Sequence, residues 1–302
     1  SIQYHPVKVL IRKLQKPSTL ACGMVVDILP TTTSSSLYHQ PEKTPSFFLK
    51  PHDWQYAYQL RADHRVEPFS PQLATDYTAF IQSGETDAFL EHLLRSSSEN
   101  DEENWDNGQT ETALAHEMNI MYRSETAVYA QLSDLQGTTI PRLITAVTMN
   151  ISPDGTNPEQ REHFKTKGIL LEHINGVILS DLLSLPPPDG IATSNWQDIV
   201  DQAVAIAPSL GDRDLLNQDV RPENFTVQRL PGHNFRVNMT DFGQSRLRRP
   251  AETDLEWGRA KHDQDEEGAI GLVMQRRLKK KLGVEIQFVA SGRYLEFAEL
   301  EE

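Results

Sequence analysis

Asp219, Asn224 and Asp241 stand at a spacing that narrows the possible folds and chemistries of this 302-residue chain more than any other feature. The loop Asn217-Gln218-Asp219-Val220-Arg221-Pro222-Glu223-Asn224 is followed, 22 residues after Asp219, by Asp241-Phe242-Gly243. Phe225-Thr226-Val227 and Phe235-Arg236-Val237-Asn238-Met239 make a hairpin between the two. Phosphoryl transfer needs an acidic group near the nucleophile and oxygen ligands for magnesium on the nucleotide phosphates. An Asp, an Asn five residues later and a distant Asp-Phe-Gly supply those parts in that order.

Upstream runs extend the pattern. Ser46-Phe47-Phe48-Leu49-Lys50 is a short apolar run closed by a lysine. Arg123 to Leu132 carries Ala127, Val128, Ala130 and Leu132 with no Gly or Pro, which predicts an amphipathic helix holding Glu125. It runs into Gln136-Gly137-Thr138-Thr139-Ile140-Pro141-Arg142-Leu143, and Gly168-Ile169-Leu170-Leu171-Glu172-His173-Ile174-Asn175-Gly176 follows as a strand and turn. Taken in order over residues 46 to 243, these landmarks resemble the protein-kinase-like superfamily. In wording such as Leu49-Lys50-Pro51-His52-Asp53 the chain is similar to compact fungal kinase-like proteins.

The resemblance implies an α+β, two-lobed protein-kinase-like fold. Residues 1–174 would form an antiparallel five-stranded small lobe, and residues 175–302 a shortened, mainly helical large lobe. It also implies ATP and Mg2+ as cofactors. Lys50 would contact the α- and β-phosphates, with Glu125 as its ion-pair partner, or Glu117 if the helix starts sooner. Backbone groups of Glu172, His173 and Ile174 would hydrogen-bond adenine, with Leu171 at the gatekeeper position. Asn224 and Asp241 would hold magnesium, Asp219 would align the acceptor hydroxyl, and Arg221 would offset charge on the transferred phosphoryl group. The same residue types also have plainer uses. Asp219 could cap a turn, Lys50 could be a solvated strand end, and Arg221 could pair with Asp219 or Glu223.

Several positions depart from the family pattern. Asn217 stands where a His precedes the catalytic Asp by two residues, and Arg221 stands where serine/threonine kinases carry Lys. Arg keeps the charge but presents a planar fork. Val7 to Leu29 contains only Gly23 and no Gly-x-Gly-x-x-Gly, and without glycines backbone amides cannot approach phosphates as closely. Only 59 residues (302 − 243) follow Gly243, with no Ala-Pro-Glu among them. The leading expectation is an ATP- and magnesium-dependent phosphotransferase acting on a small hydroxylated metabolite. The alternatives are a kinase-derived pseudoenzyme or binding protein, and a kinase fold repurposed for a non-phosphoryl reaction. Arg246, Arg248 and Arg249 read as a solvated basic turn, or else as groups that meet an anionic substrate.

Net charge of −14 argues against nucleic acid or an anionic membrane as the main partner. No apolar stretch approaches the ~18 residues that span a bilayer, and Ser1-Ile2-Gln3-Tyr4-His5 does not open a signal-peptide pattern. The single cysteine, Cys22, allows no internal disulfide and suits a reducing cytoplasm. The ten histidines show no metal-binding pair, and three Asn-x-Ser/Thr triplets read as chance matches because two of them touch the proposed site. The basic run Arg276-Arg277-Leu278-Lys279-Lys280-Lys281 reads as a solvated helix end.

Along the chain, residues 7–29 predict a β-hairpin turning at Lys16 to Thr19, and Thr31 to Pro45 predicts a polar surface loop. Trp54 to Leu60 and Pro71 to Phe89 predict helices, and Ser96 to Asn107 an acidic insertion, so residues 51–122 or so swell the small lobe. These helices would either cap the nucleotide cleft or buttress the sheet. Ile151 to Lys167 reads as a loop, and Pro186 to Gly190 ends a short helix. Trp196 to Leu210 predicts a long central helix, and Ala251 to Leu282 a final one.

Overall fold

β-Branched and aromatic residues at short spacing, as in Met24–Leu29 and Ser46–His52, suit a pleated sheet, and both segments are strands. The computed structural model describes residues 5–15, 22–29, 45–95, 105–186 and 190–298. The expected turn at 16–19, most of the loop at 31–45, most of the insertion at 96–107 and positions 187–189 lie outside them. The chain is α+β and divides into two compact units, one of Ser1–Tyr122 with Leu143–His173 and one of Arg123–Arg142 with Ile174–Glu302. Beside the expected division at residue 174, Arg123–Arg142 thus belongs with the second unit.

The first unit is built on a five-stranded antiparallel sheet of β1 (Lys8–Leu14), β2 (Met24–Leu29), β3 (Ser46–His52), β4 (Leu143–Asn150) and β5 (Lys165–Glu172). The spatial order is β1-β2-β3-β5-β4. In the central pair Lys50 lies opposite Ile169, and Gly168 lies opposite Pro51. A Cβ at Gly168 would stand 2.8 Å from the Lys50 carbonyl oxygen, so β5 comes this close to β3 only with glycine there.

Four helices follow the third strand: α1 (Tyr58–Asp63), α2 (Pro71–Ser83), α3 (Thr86–Arg95) and α4 (Asn107–Gln131). The single helix expected from Pro71 to Phe89 is two. Ser70 caps the start of α2, and Gly84, at φ 81, ends it in the left-handed region that a side chain disfavours. The helix expected around Glu125 is the last part of the 25-residue α4. Its earlier turns are too polar to show a clear apolar stripe, so periodicity alone understates it.

α1, α2 and α4 share a core of Trp54, Leu60, Tyr77, Ile81, Leu114 and Met118 closed by Phe164. The Tyr77 hydroxyl donates to the His163 carbonyl at 2.6 Å, and Gln160 reaches the Ile81 carbonyl at 3.0 Å. They therefore buttress the segment leading into β5. An ion pair lies inside this core. Arg61 donates twice to Glu111, at 3.0 and 2.7 Å, and Trp54 Nε1 donates to the same carboxylate at 3.1 Å. Both charges are almost fully removed from solvent.

The second unit holds β6 (Val177–Ile178), α5 (Leu179–Leu182), α6 (Trp196–Gly211), β7 (Leu215–Asn217), β8 (Phe225–Arg229), β9 (Phe235–Met239) and β10 (Ser245–Leu247). Then come α7 (Asp254–Gln264) and α8 (Gly268–Leu282). β6-β8-β9 form a three-stranded sheet and β7-β10 a ribbon. α6 buries Trp196, Ile199, Val200, Ala203, Ile206 and Leu210, the apolar stripe its sequence carries. The final helix expected to run unbroken from Ala251 to Leu282 is interrupted. Thr253 and Glu256 form a capping box that starts α7, Asp265 turns left-handed at φ 40, and its Oδ1 accepts the Gly268 N–H at 3.0 Å to start α8. Among the described residues no helix is long and apolar enough to cross a membrane.

Removing one partner of the buried Arg61–Glu111 pair strands the other charge, so Glu111→Ala should cost about 3–5 kcal/mol. The paired change Arg61→Met with Glu111→Leu should recover part of that loss. Urea denaturation of the three proteins checks both statements.

Candidate functional site

The loop between β7 and β8 is held by its own polar side chains. Asn217 Oδ1 accepts the Asp219 N–H at 2.9 Å, an Asx turn that aims the chain around Asp219. Asn224 then reaches back, its Nδ2 donating to the Asp219 carbonyl at 2.7 Å and to Asp219 Oδ2 at 2.9 Å. Arg221 Nη2 stands 3.1 Å from the same Oδ2. The structure therefore brings Asp219, Arg221 and Asn224 together as one constellation. It also gives Arg221 the ion pair that its sequence allowed with Asp219. The buried Arg221 Nε meets no acceptor among the described residues, which leaves the guanidinium under-satisfied in this arrangement. Glu223 turns elsewhere and accepts from Arg277 on α8 at 2.6 Å. Burial pushes the Glu223 carboxyl up, but Arg277, its own backbone amide and Arg221 together hold it below its ordinary value.

Asp241 joins through the backbone. The Thr240 N–H donates to the Asn224 carbonyl at 2.8 Å, so the residue before Asp241 is fastened to the residue that grips Asp219. Asp241 itself adopts φ 67, a left-handed conformation that Asp tolerates better than most side chains, and its Oδ1 accepts the Gly243 N–H at 3.3 Å. Phe242 is fully buried, edge-on to Tyr129 at 5.7 Å between ring centroids. Its N–H donates to Glu125 Oε1 at 3.3 Å. Glu125 is thus a buried carboxylate tied to the Asp241-Phe242-Gly243 segment, whereas Glu117 is half-exposed and pairs with His64 at 2.9 Å. Burial, with the charges of Glu125 and Asp241, raises the Tyr129 hydroxyl well above its ordinary pKa, so it stays protonated.

A magnesium ion takes few protein oxygens. Asn224 spends its Nδ2 on Asp219, so these two bonds leave its Oδ1 unused. Asn224 and Asp241 are the residues whose amide oxygen and carboxylate are of the kind a magnesium ion takes. Among the described residues no group of three or more His, Cys, Asp or Glu could hold a metal by itself.

The remaining expected residues lie in the first unit or at its end. Lys50 is the buried fifth residue of β3, so the plainer reading of a solvated strand end does not hold. Glu172 closes β5, and His173 is the last residue of that unit, its imidazole pKa lowered by burial and by Lys13. Ile174 begins the second unit. Gly23 is explained by packing: a Cβ there would stand 2.4 Å from the Phe48 ring.

Two residues that motif spacing does not reveal secure the loop from behind. Glu266 Oε1 accepts the Asn217 N–H at 2.8 Å, and Glu266 Oε2 pairs with Lys261 Nζ, which also donates to the Leu215 carbonyl at 3.0 Å. Burial raises the Glu266 pKa, opposed by the Lys261 charge and hydrogen bond. A chain of contacts thus runs from Lys261 through Glu266 and Asn217 to Asp219. The available sequence signal was Lys261 itself. It sits one turn after Trp257 and Gly258 on the buried face of α7, where an ammonium needs a carboxylate.

Of the arginines after Asp241, Arg246 and Arg248 are held in ion pairs, whereas Arg249 is exposed, as a solvated basic turn would have it. Arg246 forks onto Glu252 at 2.8 and 2.7 Å, and Arg248 pairs with Asp254 and stacks toward Trp257. No protein-family model matches this chain, and no curated protein matches it significantly in sequence.

Arg246 holds the Glu252 carboxyl down at about 2, with help from the Arg249 backbone amide. A depressed carboxylate stabilises the fold fully above its unfolded value near 4.5 and loses that contribution as pH falls toward 2. The Tm gap between wild type and Glu252→Gln should therefore be wide at neutral pH and shrink steadily below about pH 4.5. Melting curves across that range test the assignment.

Proposed function

We propose that the protein is a phosphotransferase of the protein-kinase-like type, using ATP with magnesium and phosphorylating a small hydroxylated molecule. The observation that carries this reading is the pinning of Asp219 by Asn224, with Asp241 fastened beside Asn224 through Thr240. One acidic side chain is held at fixed orientation next to an amide and near a second acid, residue types that magnesium and its nucleotide use.

In this reading the magnesium nucleotide supplies the transferable phosphoryl group and neutralises part of its charge. Asn224 and Asp241 offer the metal ligands. Asp219 orients the acceptor hydroxyl and takes up its proton. Arg221, under-satisfied on Asp219, has a planar fork to turn toward a developing phosphoryl charge. Lys50 is the ammonium assigned to the α- and β-phosphates, and the backbone of Glu172, His173 and Ile174 is assigned to adenine. A small acceptor is favoured because Ser245–Leu247 pairs at once with β7, and Arg246 within it and Arg248 after it are locked to Glu252 and Asp254. That segment presents no extended platform for a peptide. A cytoplasmic setting accords with a single, unpaired cysteine.

A second reading, a kinase-derived nucleotide-free binding protein, is favoured by one observation. Gly23, the one glycine of residues 7–29, lies against the Phe48 ring, so packing accounts for it without a phosphate. A thermal-shift titration separates the two. ATP with magnesium should raise Tm, as a ligand that binds the native state must. No shift with or without magnesium would favour the binding protein.

Asp241→Asn should weaken magnesium-dependent nucleotide binding, because it removes charge facing the metal in the ground state. Asp219→Asn should leave nucleotide affinity within about twofold and lower turnover by about 10²–10⁴-fold. Calorimetry with nucleotide and single-turnover kinetics read the two effects apart. Normal binding and activity in both variants would sink the assignment.

Incubation with labelled ATP should mark one component of a metabolite extract and leave generic protein substrates unlabelled. Labelled proteins with an unlabelled small-molecule fraction would overturn the choice of acceptor.

A further inference from the structure

Beside the Lys261–Glu266 pair, the second unit holds a partly open cavity of about 330 Å³. α6 contributes Ala207 and Pro208 to its wall, and the chain after α8 contributes Ala290 and residues 291–295. That chain is fastened at several points. Ser291 donates its N–H and its hydroxyl to Glu267, both at 2.7 Å, and Arg293 donates to the Pro208 carbonyl at 3.0 Å and pairs with Asp212. The cavity is therefore walled by structure with fixed partners, and it is large enough for a small organic molecule.

The chemistry of the lining selects the kind of molecule. The ionisable side chains around the cavity already have partners: Lys261 pairs with Glu266, Arg293 with Asp212 and His262 with Asp263, while Glu267 accepts from Ser291 and Asp265 from the Gly268 N–H. A charged ligand would have to break one of these contacts or sit beside an unmatched carboxylate or guanidinium. An uncharged ligand displaces none of them. Apolar surface comes from Ala207, Pro208, Ala290, Leu295 and the Tyr294 ring. Two donors remain to fix an orientation. Among the described residues the Tyr294 hydroxyl has no hydrogen-bond partner, and Lys261 Nζ, 5.8 Å from the centre of that ring, has two acceptors for three N–H groups. At the packing density of protein interiors the volume holds about a dozen non-hydrogen atoms.

We propose that this cavity is a binding site for a small uncharged aromatic molecule bearing one hydrogen-bond acceptor, and that its occupant stiffens the loop carrying Asp219. The second half follows from connectivity. Glu266 and Lys261 form part of the cavity wall, and Glu266 accepts the Asn217 N–H while Asn217 accepts the Asp219 N–H. Whatever limits the motion of Glu266 limits the loop. The inference does not rest on the phosphotransfer reading, because its readouts are binding and amide exchange.

Benzamide is the probe, with benzoate and toluene as its charged and acceptor-free counterparts. In a two-dimensional amide spectrum benzamide should shift Ala207, Ser291 and Leu295 saturably, with a Kd of about a millimolar, as expected for a fragment of this size. Ala290 is exposed on the cavity rim, so Ala290→Trp should fill the space without disturbing the core and abolish the shifts. Tyr294→Phe should weaken binding about five- to tenfold. Saturating benzamide should slow hydrogen exchange at the Asn217 amide. Unsaturable shifts, or shifts that persist in Ala290→Trp, would overturn the site. Equal affinity for benzoate or toluene would overturn the ligand class, and unchanged exchange at Asn217 would overturn the coupling.

Discussion

The hydrogen bond from the Asn217 backbone amide into Glu266 is the contact on which the arrangement of the second unit turns. A chain that leaves β7 and must present Asp219 has to bury polar backbone at the turn, and buried amides without acceptors are costly. Glu266 supplies the acceptor. Its own charge is balanced by Lys261, whose ammonium also closes the Leu215 carbonyl. Removing any member of this set leaves another buried and unmatched. The interruption between α7 and α8 follows from the same need. Asp265 at φ 40 ends one helix and caps the next, which carries Glu266 into the core, where one straight helix would impose a different direction.

The front of the loop is managed by amides instead of charges. Asn217 and Asn224 each use a side-chain amide to shape Asp219, from before and from behind. Asn217 is fully buried, and its Nδ2 has no acceptor among the described residues. Ser245, its register partner across the β7–β10 ribbon, likewise has an unpartnered buried hydroxyl. Such groups also occur in the first unit, at Thr86 on α3 and Thr166 on β5. Around Trp54 in that unit a different logic applies. Arg61 and Glu111 form a pair inside an otherwise apolar cluster, with Trp54 completing the carboxylate's bonds.

Much of the architecture was legible in local patterns. The strands at 24–29 and 46–52, the stripe of α6 and the hairpin β8–β9 follow from alternation and 3.6-residue spacing. Asp219, Asn224 and Asp241 were legible because close spacing on a loop and hairpin leaves little freedom for their placement. The true extent of α4 was hidden because its middle turns carry Thr112, Glu111 and His116 where an apolar stripe would be sought. The roles of Glu266, Lys261 and the arginines after Asp241 depend on partners far away in sequence, and a charge written in one dimension looks the same whether it is solvated or paired.

By itself, the sequence determined which segments become strands and helices, and it placed the acidic and amide side chains of the 217–224 loop within reach of one another. Those outcomes depend on neighbours a few residues apart, where covalent geometry and periodicity decide. Only the tertiary structure decided that Lys50 and Glu125 are buried, that Arg246 and Arg248 are locked in ion pairs, and that Glu266 carries the loop. Each of those depends on a desolvated charge finding its counterpart, and the cost of leaving it unpaired exists only once the chain has folded around it.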